Sequence, residues 1–363
     1  MKITIAERFH PFSHANGTKF LLPKTAMVIQ VFPTRLYFTD LENRFKPFDI
    51  SFDFVGPLKD FTAELDLEKG QLRVFGTTKK GYMRFSICAK PDGIWLMMEK
   101  TPEGKVACRR SSPPEKHSLS KAESMLISPP FEESCQEAGS ERLSLGMHKA
   151  QEWESICRRL DFKEIFPLWL ALCAQVPTTT QVGTGGNYSL LEECRQRIDE
   201  RDRVGVLEAF EAFFLASFEG VLTPRLFDTE HQGIASVTGE AISPLPLLTE
   251  GGRLIRSLFV QETAGELAIL PCLPTAFECG RMTGIQTSRN DVVDFEWTKK
   301  FLRRMRITSV LGRELTLRLP KGIASFRCKK GRTTMKKMHV DREGRVVLTL
   351  GANQTLHLDR FEV

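Results

Sequence analysis

The chain has 363 residues, 41% of them hydrophobic and 26% charged, and 51 Lys and Arg against 45 Asp and Glu give a formal net charge of +6. This length predicts two or three domains, and the composition excludes wholesale disorder. No apolar run reaches the eighteen or so residues of a membrane-spanning helix, and Met1 to His14 lack the apolar core of a secretory signal.

Short segments that alternate or run apolar fill the first hundred residues: 26–33, 35–38, 49–55, 71–75, 83–88 and 94–98. Gly, Pro, Asp and Lys separate them, a spacing that predicts an N-terminal antiparallel β-sandwich over 1–100. The excess of Phe (26) over Tyr (3) fits packed β interiors. Residues 101–145 are rich in Ser, Pro, Glu and Lys and bury little apolar surface, so they are expected to form a flexible linker.

Over 146–262 the period changes. Trp153, Ile156 and Leu160, then Ile165, Trp169 and Leu172, recur at three- and four-residue steps, with Pro167 at a break or first turn. Residues 188–201, 204–219 and 244–262 read as further helices, the last with an apolar face of Leu247, Leu248, Leu254, Ile255, Leu258 and Phe259. Strand patterns return over 263–363, as in 292–297, 304–310, 315–319, 345–350 and 354–358, and predict a C-terminal β-sandwich. The expected fold class is mixed α and β, multi-domain.

Nine cysteines, none spaced as C-x-x-C, give no signal of a zinc site or a dense disulfide framework. Scattered thiols fit a reducing compartment, so cytoplasm is the expected location, with signal-independent export left open. His10, His14, His117, His148, His339 and His357 show no metal-ligand spacing, and no metal or cofactor is expected. Gly183 to Asn187 lacks the G-K-[ST] ending of a phosphate loop and reads as a flexible loop.

Charge is unevenly placed. Between Lys299 and Met338 fourteen Lys and Arg face one acid, Glu314. Lys299, Lys300, Arg303 and Arg304 are therefore candidates for holding an anionic partner; several strands with one basic face would give the same pattern.

Leu226-Phe-Asp-Thr-Glu-His-Gln-Gly233 carries the densest chemistry. Two carboxylates and an imidazole fall within four residues of a Gly-bounded loop. A carboxylate pair suits glycoside hydrolysis, one group protonating the leaving oxygen and the other activating water. Asp228 and Glu230 are the candidate base and acid, and His231 and Trp169 the candidate sugar-lining groups. An acidic turn with Asp228 as a helix cap, and a Trp169 spent on the core, are the structural alternatives.

The stretch from Leu226 to Pro320 resembles the end of the catalytic domain and the C-terminal β domain of family 95 glycoside hydrolases, the α-L-fucosidase and α-L-galactosidase group. The residues that carry the resemblance are the helix Leu247 to Val260, Gly265-Glu-Leu-Ala-Ile-Leu-Pro-Cys-Leu-Pro274, Gly280-Arg-Met-Thr-Gly-Ile285 and Val293-Asp-Phe-Glu-Trp297. It implies a β-sandwich, a helical toroid, a small β domain and a carbohydrate ligand. The departures concern the catalytic apparatus. The helical part is strongly shortened, and the family's D-G-N-F-G stretch, with its catalytic aspartate, has no counterpart after Phe227 and Asp228. Three readings follow: a reduced glycosidase, an inactive glycosidase-derived interaction module, and a binder of an anionic partner through 299–338.

Overall fold

The structure is a computed structural model that describes residues 1–6, 16–53, 58–102, 104–128, 141–146, 152–177, 186–227, 231, 243–263, 265–331 and 334–363. The first half is built from strands: β1 (Lys2–Ala6), β2 (Thr18–Leu21), β3 (Met27–Phe32), β4 (Arg35–Asp40), β5 (Phe48–Asp53), β6 (Lys59–Asp66), β7 (Gln71–Thr78), β8 (Gly81–Lys90), β9 (Gly93–Lys100), β10 (Lys105–Ser111), β11 (Pro114–Ser120) and β12 (Ser124–Ser128). They form two antiparallel six-stranded sheets, ordered β1-β6-β7-β8-β9-β12 and β11-β10-β5-β4-β3-β2. Alternate residues of each strand point inward, and Phe52 of one sheet meets Phe85 of the other at 5.1 Å between ring centroids. Each such buried phenylalanine contributes about 1.5–3 kcal/mol.

Three of these strands lie where the sequence predicts a flexible linker, and that expectation is corrected. Charged residues, Ser and Pro dominate 105–128, but Val106, Cys108, Leu119, Met125 and Ile127 are buried. Their placement on the inner face is enough to complete the sandwich, since a half-buried strand needs only every second residue apolar. Next comes β13 (Arg142–Leu145), which pairs with a strand far downstream.

The middle of the chain holds α1 (Trp153–Arg158), α2 (Phe162–Cys173), α3 (Asn187–Asp199), α4 (Gly205–Ser217), the small ladder β14 (Phe218–Glu219) with β15 (Thr223–Pro224), and α5 (Leu245–Phe259). Pro167 sits inside α2 without ending it. Helix α5 packs on α2 through two glycines. A Cβ at Gly251 would overlap the Trp169 ring, and one at Gly252 would overlap Cys173 Sγ. The helices dock on the N-terminal sandwich through backbone bonds: Val221 N–H donates to Lys19 O (2.7 Å) and Lys24 N–H to Gln175 O (2.5 Å). Gln175 Nε2 donates to Leu67 O at 2.8 Å.

The last third contains β16 (Val260–Thr263), β17 (Glu266–Ile269), β18 (Cys279–Gln286), β19 (Val292–Thr298), β20 (Phe301–Ser309), β21 (Arg313–Arg318), β22 (Ser325–Lys330), β23 (Thr334–His339), β24 (Arg345–Leu350) and β25 (Gln354–Glu362). One sheet has seven strands, β13-β18-β19-β20-β25-β22-β23, and the other four, β16-β17-β21-β24. All pairs are antiparallel except β17 with β21. The fold is mixed, with sandwich-like sheets at both ends and helices between them. No helix among the described residues is long and apolar enough to cross a membrane.

The segments of the family resemblance map to structural necessities. Gly280 lies where a Cβ would overlap the Trp297 ring, and Trp297 Nε1 donates to Phe277 O at 3.0 Å. Gly284 takes φ +69° where the β18–β19 register slips, and its N–H donates to Asp294 Oδ1 at 2.7 Å. Glycine fits such a left-handed bulge without steric cost.

Candidate functional site

The loop-borne candidates come out unequally. Asp228 and Glu230 lie outside the described residues. His231 is exposed, with φ +65°, and Phe227 just ahead of the pair is 75% exposed. Trp169 is fully buried, so its expected place beside a sugar is corrected. Its indole donates to Leu248 O at 2.9 Å and meets Phe210, Phe213, Phe214 and Phe218, the last at 4.5 Å between centroids. Its aromatic ring made it a candidate, but its helical spacing is that of an α2 core position.

The basic segment is dispersed by the fold. Its strands fall in two sheets, and six of its thirteen described cations are met by carboxylates from other parts of the fold. Arg304 pairs with Glu296 at 3.5 Å, Arg306 with Asp294, Arg313 with Asp291, Arg318 with Glu266, Arg327 with Asp359 and Lys337 with Glu362. Arg313 belongs to the four-stranded sheet, and its clamp on fully buried Asp291 ties the two sheets together. Lys299 and Lys300 form the two-residue turn between β19 and β20, with φ +53° and +65°. Such a turn favours Asn or Gly at these positions. Arg303 sits at the adjoining register shift. Of the four residues singled out, Lys299, Lys300 and Arg303 have no ion pair among the described residues, and Arg304 has one.

The period of the strands places a second set of groups on the outward face of the seven-stranded sheet. One row runs Arg281, Glu296, Arg304, Asp359, Arg327, Lys337 across β18, β19, β20, β25, β22 and β23, as the strand registers set it. Signs alternate along most of this row, so it is largely self-neutralised. The next row runs Asp294, Arg306, His357, Lys329, Met335. Here Arg306 Nε donates to Asp294 Oδ2 at 2.7 Å, while Lys329 faces His357 with no carboxylate opposite.

Two open cavities lie on this face and share His357 and Asp359. One, of about 780 Å³, is lined by Lys329, Met335, Asn353 and Thr355. The other, of about 360 Å³, is lined by Arg281, Glu296, Arg304 and Arg306. The sequence shows the alternation of His357 and Asp359 along β25, but which cations stand opposite them depends on strand order.

The titrations also bear on chemistry. The Arg327 guanidinium, hydrogen-bonded to Asp359, holds that carboxyl below its usual range. Backbone N–H donors from Gly205 and Arg345 do the same for Asp202 and Asp341, and Lys337 does so for Glu362. These shifts run opposite to the raised value a general acid needs. Burial pushes the Cys157 and Cys173 thiols up to about 12. Among the described residues no cluster of three or more His, Cys, Asp or Glu is placed to hold a metal ion.

Residues 261–358 match the C-terminal domain of glycoside hydrolase family 95. No curated protein matches the chain. A solved structure, a GH127 β-L-arabinofuranosidase from Geobacillus stearothermophilus T6, is similar at 14% identity over 47% of this chain, with a TM-score of 0.22. The chain spans 30% of that protein's length.

Proposed function

From the match of residues 261–358 to a glycoside hydrolase C-terminal domain, we propose that this protein recognises a carbohydrate. That match is the observation that carries the reading; the five central helices stand for a shortened toroid. In the hydrolytic form of the proposal, Asp228 acts as base and Glu230 as acid, with His231 against the sugar. In the non-hydrolytic form the protein is a glycosidase-derived binding module. Eight described cysteines, all free thiols, support a reducing compartment such as the cytoplasm.

The test is a panel of α- and β-linked glycans assayed for binding and for sugar release, with Asp228→Asn and Glu230→Gln beside the parent. Release that both variants lose supports hydrolysis at this loop. Binding without release supports the module. A panel with neither binding nor release overturns the proposal.

The third reading, an anionic partner held at Lys299, Lys300, Arg303 and Arg304, is favoured by one observation: three of these four have no ion pair to a described carboxylate. Lys299→Gln with Lys300→Gln would then weaken binding to an anionic matrix and flatten its salt dependence.

A further inference from the structure

We infer that the outward face of the seven-stranded sheet is a binding groove for an acidic glycan, held at its two ends by Arg281 and Lys329. The inference rests on the carbohydrate-recognition proposal and names the ligand class and the place.

Charge accounting along the two rows picks out these residues. Glu296, Asp294 and Asp359 are each engaged by an arginine of a neighbouring strand, and Glu362 by Lys337 two strands away. Arg281 and Lys329 line the two cavities, and neither makes an ion pair with a described residue. Asp359, the carboxylate nearest Lys329 along the rows, has both oxygens taken by Arg327 Nε and Nη2, at 2.6 and 2.5 Å. A cation whose neighbouring acids are already engaged keeps its attraction for an incoming anion.

Spacing and chemistry narrow the ligand. From β18 to β22 is four strand steps, roughly 19 Å at about 4.8 Å each. Two anionic groups that far apart on one molecule call for a chain rather than a single small ion. Between them the cavities present Asn353, Thr355 and His357, groups that pair with hydroxyls. Base stacking needs exposed aromatic rings; the outward positions of these rows carry charged groups, an imidazole and Met335 instead. Hydroxyls interspersed with negative charge are the chemistry of a uronic-acid or sulfated oligosaccharide.

The test uses the full chain and four probes: polygalacturonate (carboxylated), heparin oligosaccharide (sulfated), dextran (neutral) and single-stranded DNA. Binding is titrated for the parent, Arg281→Gln, Lys329→Gln, the double variant, Lys329→Arg as rescue, and exposed Lys163→Gln as control. Each single neutralisation is expected to weaken acidic-glycan binding about tenfold. The double variant should lose nearly all of it, while Lys329→Arg and Lys163→Gln keep it. Unchanged melting of the variants separates lost contact from lost fold.

Preference for polygalacturonate or for heparin assigns carboxylate or sulfate as the recognised group. Acidic-glycan binding unaffected in the double variant overturns the inference. Equal binding of dextran overturns it too, while leaving carbohydrate recognition standing. DNA bound as tightly as the glycans, and lost in the same variants, makes the groove a nucleic-acid site and overturns it. Failure of both acidic probes overturns the inference, whereas carbohydrate recognition itself falls only if the wider glycan panel also shows neither binding nor release.

Discussion

Arg256 and Glu141, separated by 115 residues in sequence, are joined by a two-pronged ion pair. Arg256 Nε lies 2.9 Å from Glu141 Oε2, and Arg256 Nη2 lies 2.9 Å from Glu141 Oε1. The same guanidinium donates to Gln286 O at 3.1 Å, and Glu141 accepts from Gln286 N–H at 3.3 Å. One pair thus fastens helix α5, the start of β13 and the end of β18 to one another.

Removing either partner leaves a mostly buried charge uncompensated. We predict that Glu141→Ala and Arg256→Ala each destabilise the fold by about 1–3 kcal/mol. Denaturant unfolding of both single variants and the double variant checks this. Additive losses would show that the two side chains do not act as a pair.

Gly251→Ala should destabilise although it improves helix propensity by about 1 kcal/mol. The added methyl collides with the Trp169 ring inside a closed aromatic cluster, and overpacking of this kind costs about 1–3 kcal/mol. Trp169→Ala is expected to cost about 3–5 kcal/mol. A melting temperature unchanged in Trp169→Ala would refute its assignment to the core.

The depressed carboxyls predict an acid limb. Asp202, Asp341, Asp359 and Glu362 have folded-state values below their ordinary ones. Their contribution is therefore fully present above about pH 4–5, the ordinary carboxylate range, and is lost as pH falls through the lower folded values. Asp359→Asn should flatten this limb in melts taken from pH 6 down to pH 2, and an unaltered limb would contradict the Arg327 assignment.

Among the described cysteines, exposed Cys279 should alkylate first at neutral pH. Cys157 and Cys173 are held as thiols by burial at about 12, and Cys108 and Cys272 at about 11. The thiolate is the reactive species. Peptide mass mapping after brief iodoacetamide treatment reads the order, and early labelling of Cys173 would mean that α2 and α5 separate in the native state.

The sequence exposes local periodicity well and spatial neighbours poorly. Strands such as β3 and β9 follow from short apolar runs and β24 from its alternation, and α5 follows from its apolar stripe. β10 is hidden because charged outward residues mask a thin inward apolar set, and β12 because its apolar run is only three residues long and bounded by serines. The family resemblance falls where residues are sterically compelled, at Gly280 against Trp297 and Gly284 at its bulge, so its segments were legible. The basic stretch misleads for a physical reason: a count along the chain cannot see β25, inserted between β20 and β22, or β19, which flanks β20, and both bring carboxylates to its cations. Trp169 misleads because a sugar platform and a core position look alike at helical spacing.

The route of β13 has a consequence for how the chain can be divided. Residues 142–145 form the edge strand beyond β18, although the family match begins at 261. A fragment starting at 261 would carry the whole matched region and still expose a row of unpaired backbone donors and acceptors along β18. Open edges of this kind recruit other strands, so such a fragment should self-associate in sedimentation and return to a monomer when a peptide spanning 141–146 is supplied. During synthesis the same strand must wait, unpaired, until more than a hundred further residues have emerged. The last sheet to form is thus closed by one of the earlier segments to be made, and the C-terminal region inherits its boundary from the middle of the chain.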